Sequence, residues 1–148
     1  MYKHIMLPVD GSELSQKAAK ECITFAKAIG ARISVIHVVS HFHFAIEEGF
    51  SSAVVRKLQE EHEEESRKAA QKILVGVQTL AKASGVECST LSVIGDSPYE
   101  EIIKDAKKQK CDLIMMASHG RRGLEGLLLG SETAKVLTHS RIPVLVVR

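Results

Sequence analysis

A glycine-rich segment near the carboxyl end of the sequence carries the residue types that bind phosphate. It runs from Ala117-Ser118-His119-Gly120 to Gly130-Ser131-Glu132-Thr133, and two further glycines lie between. Glycines let backbone amides approach an anion closely, while Ser131 and Thr133 add hydroxyl donors and Arg121 and Arg122 add positive charge. A helix is predicted from about Glu132 to Thr138, and its N-terminus would contribute about half a positive charge. The segment therefore predicts a phosphate-binding loop; the alternative is a flexible crossover without a ligand.

A second polar loop follows the first apolar run of the sequence. Residues 4–9 are typical of a strand that is covered on both faces, and Asp10, Gly11 and Ser12 come directly after them. Asp10 could cap the following helix, with Glu13 completing a capping box. It could equally accept hydrogen bonds from a ligand. Both interpretations of Asp10 stay open at this point.

Strands and helices alternate along the whole sequence. Strands are predicted at 4–9, 31–39, 86–94, 112–118 and 142–147, with a helix in each interval. This alternation predicts an α/β fold of three layers, with a five-stranded, parallel, doubly wound, Rossmann-like sheet in a single domain over 1–148. The strand order that we expect is 3-2-1-4-5. In such folds the ligand binds at the carboxyl ends of the strands where the strand order reverses. The first and fourth strands flank that point, so the two polar loops should meet there.

Three local patterns give predictions that the structure can test. Gly30 suits the C-terminal cap of the first helix. Ser97, followed by Pro98 and by Glu100, indicates a helix that starts with a serine cap. The helical pattern from 51 to 84 would be roughly 50 Å long at 1.5 Å per residue, longer than the sheet beneath it. We expect its first half, with the acidic run at 60–65 as a solvated face, to project, break or move as a flap.

The composition excludes several classes of protein. The 148 residues are 45% hydrophobic and 26% charged, which is typical of a globular chain. The net charge of +2, from 20 basic and 18 acidic residues, is too weak for a nucleic-acid-binding surface. The three cysteines are far apart, so neither a disulfide framework nor a zinc site is expected. The sequence shows no secretory leader and no membrane span, and we expect a cytoplasmic protein.

The glycine-rich segment matches neither of two common nucleotide motifs. No lysine precedes Gly130-Ser131 as a Walker A loop requires, and no GxGxxG follows the first strand. The spacing Ala117-x2-Gly120-x9-Gly130-Ser131 instead resembles the G-x2-G-x9-G-[ST] signature of the universal stress protein (UspA) family, with alanine at the first position. Pro8-Val9-Asp10-Gly11-Ser12 is similar to the first-strand loop of that family, and 143–147 to its closing strand. The resemblance extends over the whole chain.

That resemblance implies an adenine nucleotide as the ligand. Pro8, Val9 and Asp10 would border the adenosine, with Asp10 accepting from the ribose, and Val38 would lie against the base. Gly120, Gly130, Ser131 and Thr133 would hold the phosphates. The nucleotide-binding set is completed by Ala117, His119, Arg121 and Glu132. His119 could contact phosphate or could only pack.

The function implied is regulatory rather than catalytic. The chain would bind ATP, or AMP or ADP, with or without Mg²⁺, and would respond to its occupancy through an unidentified protein partner. No general base or Walker lysine is in place, so at most slow ATP hydrolysis is expected. Because Ala117 adds a methyl group where the family has glycine, the alternative is a protein–protein interaction module that binds no nucleotide.

Two remaining features concern association and metals. The last strand, Val144 to Val147, is apolar on both faces and should lie at a sheet edge, which predicts a homodimer through antiparallel pairing of this strand. His41 and His43 could suggest a metal, but two ligands are too few, and a solvated loop is the better interpretation. His37, on a central strand, is interpreted as a core histidine with its hydrogen bonds satisfied.

Overall fold

The computed structural model describes residues 1–43, 49–120 and 129–148. Within these ranges strands and helices alternate as the sequence predicts. The elements are β1 (His4–Pro8), α1 (Glu13–Ile29), β2 (Arg32–Val39), α2 (Ser52–Ala83), β3 (Cys88–Ile94), α3 (Pro98–Lys108), β4 (Leu113–Ala117), α4 (Ser131–His139) and β5 (Val144–Val147).

The five strands form one parallel sheet in the order β3-β2-β1-β4-β5, which confirms the predicted topology. In the central register, Ile5 of β1 lies opposite Ile33 of β2 on one side and Leu113 of β4 on the other. β3 and β5 are the two edge strands. Chain connections leave β1 in one direction and β4 in the other, so the carboxyl ends of β1 and β4 flank the reversal of strand order.

Alternate side chains of the strands enter two separate cores. Ile5, Leu7 and Val35 pack against α1 and α2 on one face, whereas Met6 and Ile114 pack against α3 and α4 on the other. These five side chains are fully buried, and each contributes on the order of 1.5–3 kcal/mol through removal of apolar surface from water. The sheet that carries the loops of the carboxyl edge is therefore packed on both of its faces.

The first helix, α1, is capped by Ser12 and not by Asp10. The Ser12 hydroxyl accepts the Ser15 amide at 3.2 Å. Asp10 instead accepts the Ser12 amide on Oδ1 at 3.0 Å, and Gly11 between them has a φ of 81°. Of the two interpretations left open for Asp10, the helix cap with Glu13 in a capping box is therefore excluded, because Oδ1 of Asp10 accepts the Ser12 amide within the turn that precedes the helix. At the other end of α1, Gly30 is the predicted C-cap, with a φ of 68°.

Helix α2 is continuous over its 32 residues, so the prediction of a break in this segment was wrong. Its amino-terminal half is mostly exposed, with Val55 as its buried residue, and therefore projects as expected. Pairs of opposite charge along its surface support the exposed turns, including Lys57 with Glu61 at 4.0 Å and Glu64 with Lys68 at 3.6 Å. Neither α2 nor another helix in the described ranges has the apolar length that crossing a bilayer requires.

Candidate functional site

The backbone at the end of β1 is held by a side chain of β2. The Val9 amide donates to the Ile36 carbonyl at 2.9 Å, which continues the strand ladder by one residue. The Val9 carbonyl lies 2.7 Å from His37 Nδ1. The imidazole N–H therefore donates to this carbonyl in place of the backbone amide that would continue the strand pairing. The hydrogen bond expected of His37 is present at Nδ1, but the residue is half-buried and does not lie in the core as predicted. Sequence patterns did not indicate that it fixes the peptide leading into Asp10.

Asp10 is held in one orientation by the turn that precedes α1. Its amide donates to the Ser15 hydroxyl at 3.1 Å, and its Oδ1 accepts the Ser12 amide. The other carboxylate oxygen, Oδ2, is directed toward Gly120 of the glycine-rich segment. Asp10 is half-buried, so this carboxylate remains partly accessible at the carboxyl edge of the sheet.

The two ends of the glycine-rich segment are fastened together at the end of β4. The Gly130 amide donates to the Ser118 carbonyl at 2.6 Å, and the Thr133 hydroxyl donates to the Ala117 carbonyl at 2.9 Å. The Ser118 amide in turn bonds to the Val147 carbonyl of β5 at 2.7 Å. Residues 121–128, which include the predicted site residue Arg121, lie outside the described residues.

At two glycines of this segment, neighbouring atoms lie where the β-carbon of any other residue would be. A β-carbon on Gly120 would lie 2.3 Å from Asp10 Oδ2. A β-carbon on Gly130 would lie 2.9 Å from the His119 α-carbon and 3.2 Å from the Ser118 carbonyl oxygen. The close approach of Gly120 to Asp10 brings the loops after β1 and β4 together. The close approach of Gly130 to Ser118 and His119 brings the two ends of the glycine-rich segment together.

The first turn of α4 presents amides that have no acceptor in the described parts of the chain. Its N-cap is Gly130, which has no side chain, and the amides of residues 131–133 make no hydrogen bond there. The other three helices each have a side-chain oxygen on a first-turn amide, from Ser12, Ser51 and Glu132 respectively. Because orphan N–H groups and the helix dipole favour an anion, the open end of α4 can receive a phosphate or carboxylate.

Two of the predicted nucleotide-binding residues, Thr133 and Glu132, use their side chains for contacts within the fold. Thr133 is 3% exposed, and its hydroxyl hydrogen is donated to Ala117 inside the fold. The Glu132 carboxylate accepts the Tyr99 amide on Oε2 and the Lys135 ammonium on Oε1, both at 2.9 Å. The expectation that the Thr133 hydroxyl donates to phosphate therefore needs correction, since these two residues offer only their backbone amides. The Ser131 side chain is exposed beside them.

Ala117 does not project into the loop region. Its side chain is 8% exposed and belongs to the core on the α1 and α2 face, together with Val147. Lys110 is the one non-glycine residue with a positive φ among those described, so Ala117 has an ordinary strand conformation. Alanine in place of the family glycine consequently causes neither backbone strain nor obstruction of the α4 amides.

The remaining predicted residues lie near the same edge. His119 Nδ1 is 3.2 Å from the buried Ser118 hydroxyl, which favours packing of this ring against its neighbour. Val38 is half-buried near the end of β2, in the core that faces α3 and α4. Pro8, the last residue of β1, is also half-buried.

His41 and His43 both contact one carboxylate rather than a metal cluster. His41 Nδ1 and His43 Nε2 lie 3.1 and 3.4 Å from Asp96 Oδ1. Desolvation raises the pKa of Asp96, but hydrogen bonds from the two histidines outweigh it, so the pKa is lowered. No group of three or more histidine, cysteine, aspartate or glutamate side chains within the described chain is suited to a metal ion.

An open cleft of about 570 Å³ lies at the amino ends of the strands, on the side of the sheet away from both polar loops. It is lined by the C-terminal ends of α1 and α2 and includes Lys27, Arg32 and Lys110. Cations at these positions match the negative ends of the helices, which accounts for the charge without a ligand. The chemistry of the chain therefore concentrates at the carboxyl edge.

Comparison with known proteins gives a consistent family assignment. The model of the universal stress protein family matches residues 1–148. Universal stress protein MJ0531 of Methanocaldococcus jannaschii is 38% identical over 150 residues, covering all of this chain and 83% of the relative. The solved structure of MJ0577, from the same organism, has a TM-score of 0.85 at 30% identity, covering 99% of this chain and 96% of that one. A universal stress protein solved in complex with cAMP has a TM-score of 0.70 at 25% identity, covering 99% and 97%. The chain described here belongs to the universal stress protein family.

Proposed function

We propose that this chain is a stress-response regulatory protein that binds an adenine nucleotide at the carboxyl ends of β1 and β4 and acts through the occupancy of that site. The observation that carries the proposal is the open first turn of α4 at the reversal of strand order. In the described chain it is the one helix whose first-turn amides lack a side-chain acceptor, and it has a glycine as its N-cap.

The phosphates of the ligand would bind to backbone rather than to side chains. The amides of residues 131–133 would donate to them, and the dipole of α4 would favour their charge. Gly120 and Gly130 let the backbone of the segment lie close to the ligand, because a side chain at position 120 would meet Asp10 and one at position 130 would meet His119. The Ser131 hydroxyl is exposed at the same level and can add a donor. Arg121 remains a proposed contact.

The adenosine would lie along the end of β1. The Asp10 carboxylate, fixed by Ser12 and Ser15, is suited to accept hydrogen bonds from ribose hydroxyls. Pro8 and Val38 are half-buried apolar residues on neighbouring strands, and a base could pack against them. A universal stress protein with a similar fold was solved with cAMP, which supports an adenine nucleotide as the ligand class.

ATP, with AMP and ADP as the alternatives, is the proposed ligand, and Mg²⁺ would accompany it mainly through phosphate oxygens, as this ion commonly does. We propose binding without efficient turnover, with slow hydrolysis at most. Residues 1–148 would act as one cytoplasmic domain with an unidentified protein partner. The argument for a nucleotide-free interaction module depended on the Ala117 methyl group, which is buried in the core instead.

We also propose a homodimer through β5. Among the described residues, this strand pairs with β4 and has no strand on its other side, and its residues 144–146 are half-buried. Antiparallel pairing with its copy would satisfy the exposed backbone edge. Light scattering at micromolar concentration should give twice the mass of the chain, and a monomer there would remove this part of the proposal.

The nucleotide proposal is tested by calorimetric titration of ATP, ADP and AMP into the wild-type chain and Gly130→Ala. The new methyl group must displace the backbone at His119, so we expect affinity at least tenfold weaker, or no binding. Gly76→Ala is the matched control, because no atom lies within 4 Å of its added β-carbon. Equal affinities in wild type and Gly130→Ala would refute the proposed binding site. In a separate experiment, mass spectrometry of the ligand retained by the purified wild-type protein would identify which nucleotide is bound.

A further inference from the structure

Helix α3 lacks an N-terminal cap from its own sequence. Ser97 is at the cap position, but its side chain makes no capping hydrogen bond. Pro98 has no amide hydrogen, and the amides of Glu100 and Glu101 bond to the Ser97 carbonyl. The first turn therefore leaves one donor, the Tyr99 amide, that needs an acceptor from elsewhere.

The acceptor is Glu132, at the second position of α4. Its Oε2 accepts the Tyr99 amide at 2.9 Å across 33 positions of sequence. A carboxylate on a first-turn amide also interacts favourably with the positive end of the helix dipole, which here belongs to α3. Glu132 thus performs for another helix the role that Ser97 was expected to perform locally.

A glutamate in the first turn of a helix ordinarily stabilises the N-terminus of that same helix. There its carboxylate would occupy the free amides or would repel an anionic ligand from them. In α4 those are the amides of residues 131–133, which the proposed function assigns to phosphate. Binding of Glu132 to α3 directs the carboxylate away from them. Its charge is also balanced, since Lys135 donates to Oε1 at 2.9 Å.

We propose that the Tyr99 amide is a positioning group for the nucleotide site, which keeps the Glu132 carboxylate on α3 and so leaves the first turn of α4 open to phosphate. This inference rests on the proposed function and adds a residue that does not touch the ligand. It also joins α3 to the phosphate-binding turn, because displacement of Glu132 would uncap α3.

Neighbouring contacts hold the same arrangement. The Lys135 ammonium lies 5.5 Å from the centre of the Tyr99 ring, and the His139 ring lies 5.1 Å from it. The hydrogen bond and charge of Glu132 raise the pKa of Lys135, which strengthens this ion pair. The contacts of Lys135 and His139 with the Tyr99 ring are each weak, because both partners of the ring are exposed. Together they hold one side of α4 against the start of α3.

The decisive experiment separates the Tyr99 amide from the Tyr99 ring. Tyr99→Pro removes the amide hydrogen at a helix position that tolerates proline, whereas Tyr99→Ala keeps it and removes only the ring. We expect ADP affinity to fall at least tenfold in Tyr99→Pro and less than threefold in Tyr99→Ala. Tyr99→Pro combined with Glu132→Gln should recover most of the loss, because a neutral amide competes poorly for the α4 amides.

Two results would overturn the inference while leaving the proposed function intact. One is equal ADP affinity in Tyr99→Pro and Tyr99→Ala; the other is a double variant that binds no better than Tyr99→Pro. A wild-type chain that binds no nucleotide would overturn both proposals. The contact itself is measured without ligand, by amide hydrogen exchange: the Tyr99 amide should exchange at least tenfold faster in Glu132→Ala than in wild type, and an unchanged rate would also overturn the inference.

Discussion

The Asp10 carboxylate occupies the space that a side chain at position 120 would need. A β-carbon built on Gly120 would be 2.3 Å from Asp10 Oδ2, far inside the distance at which carbon and oxygen repel. Asp10 cannot easily move away, because the Ser12 amide holds its other oxygen at 3.0 Å. The absence of a side chain at Gly120 and the fixed orientation of Asp10 therefore together allow the loops after β1 and β4 to lie in contact.

Substitution of Gly120 by alanine should displace Asp10 and weaken nucleotide binding. The methyl group would push the carboxylate out of the orientation that Ser12 fixes, and the ribose contact would be lost. We expect an affinity roughly tenfold lower, equivalent to about 1.4 kcal/mol, in a calorimetric titration with ATP. An unchanged affinity would show that Asp10 does not contact the ligand in this orientation.

Gly76→Ala is the opposite case and should stabilise the protein. Gly76 lies inside α2 with open space around its α-carbon, so alanine meets no neighbour and improves helix propensity. The free energy of unfolding in urea should rise by about 0.5–1 kcal/mol, while ATP affinity stays unchanged. A loss of stability would mean that α2 is packed more closely around Gly76 than the open space beside its α-carbon indicates.

Ala117→Gly should lower stability without improving binding. The Ala117 methyl group is buried in the core beside Val147, so its removal costs about 1–2 kcal/mol in burial and backbone entropy. Urea unfolding measures this cost, and titration with ATP should show less than a twofold change in affinity. Markedly tighter binding by the glycine variant would restore the view that alanine obstructs the site.

The fold was predictable because its determinants are local. Apolar runs and helical periods recur in a strict alternation, and that alternation favours a parallel sheet. The structure has this sheet, with the expected reversal of strand order between β1 and β4. Gly30 was predicted as a cap from its type and place alone. The meeting of the two polar loops followed from topology, since both leave carboxyl ends of adjacent strands.

The details of the site were less predictable because they depend on competition and on distant contacts. Asp10 and Ser12 are both good cap residues, and only the turn at Gly11 decides that Ser12 caps α1. The cap of α3 comes from Glu132, which no local pattern around Ser97 could indicate. The Thr133 hydroxyl was expected to reach phosphate, but the Ala117 carbonyl inside the fold takes its hydrogen.

The three thiols should differ in reactivity in the order of their exposure. Burial raises the pKa of Cys22 to about 12, and burial together with Asp112 raises that of Cys111 to about 11. Burial also raises the pKa of Cys88, but this thiol is half-exposed on the edge strand β3. Iodoacetamide at pH 8, followed by peptide mass spectrometry, should label Cys88 first and the other two only in denaturant. Equal labelling rates for Cys22 and Cys88 would contradict the burial of Cys22 on the face of α1 that packs against the sheet.

Asp112 should make stability depend on pH below about 4. Desolvation raises its pKa, but hydrogen bonds from the amides of His4 and Lys3, at 2.9 to 3.1 Å, outweigh it and lower the pKa. Because the folded pKa lies below the unfolded value of about 3.9, the stabilisation is present above that value and is lost as pH falls through the folded pKa. Asp112→Asn should therefore lower the free energy of unfolding by about 1 kcal/mol at pH 7, an amount reduced by solvent screening, and by much less at pH 2.5. Urea titrations at both pH values, with Glu63→Gln on the exposed face of α2 as the control, measure the difference. A deficit of equal size at both pH values would mean that Asp112 stabilises the start of β1 through its shape and not through its charge.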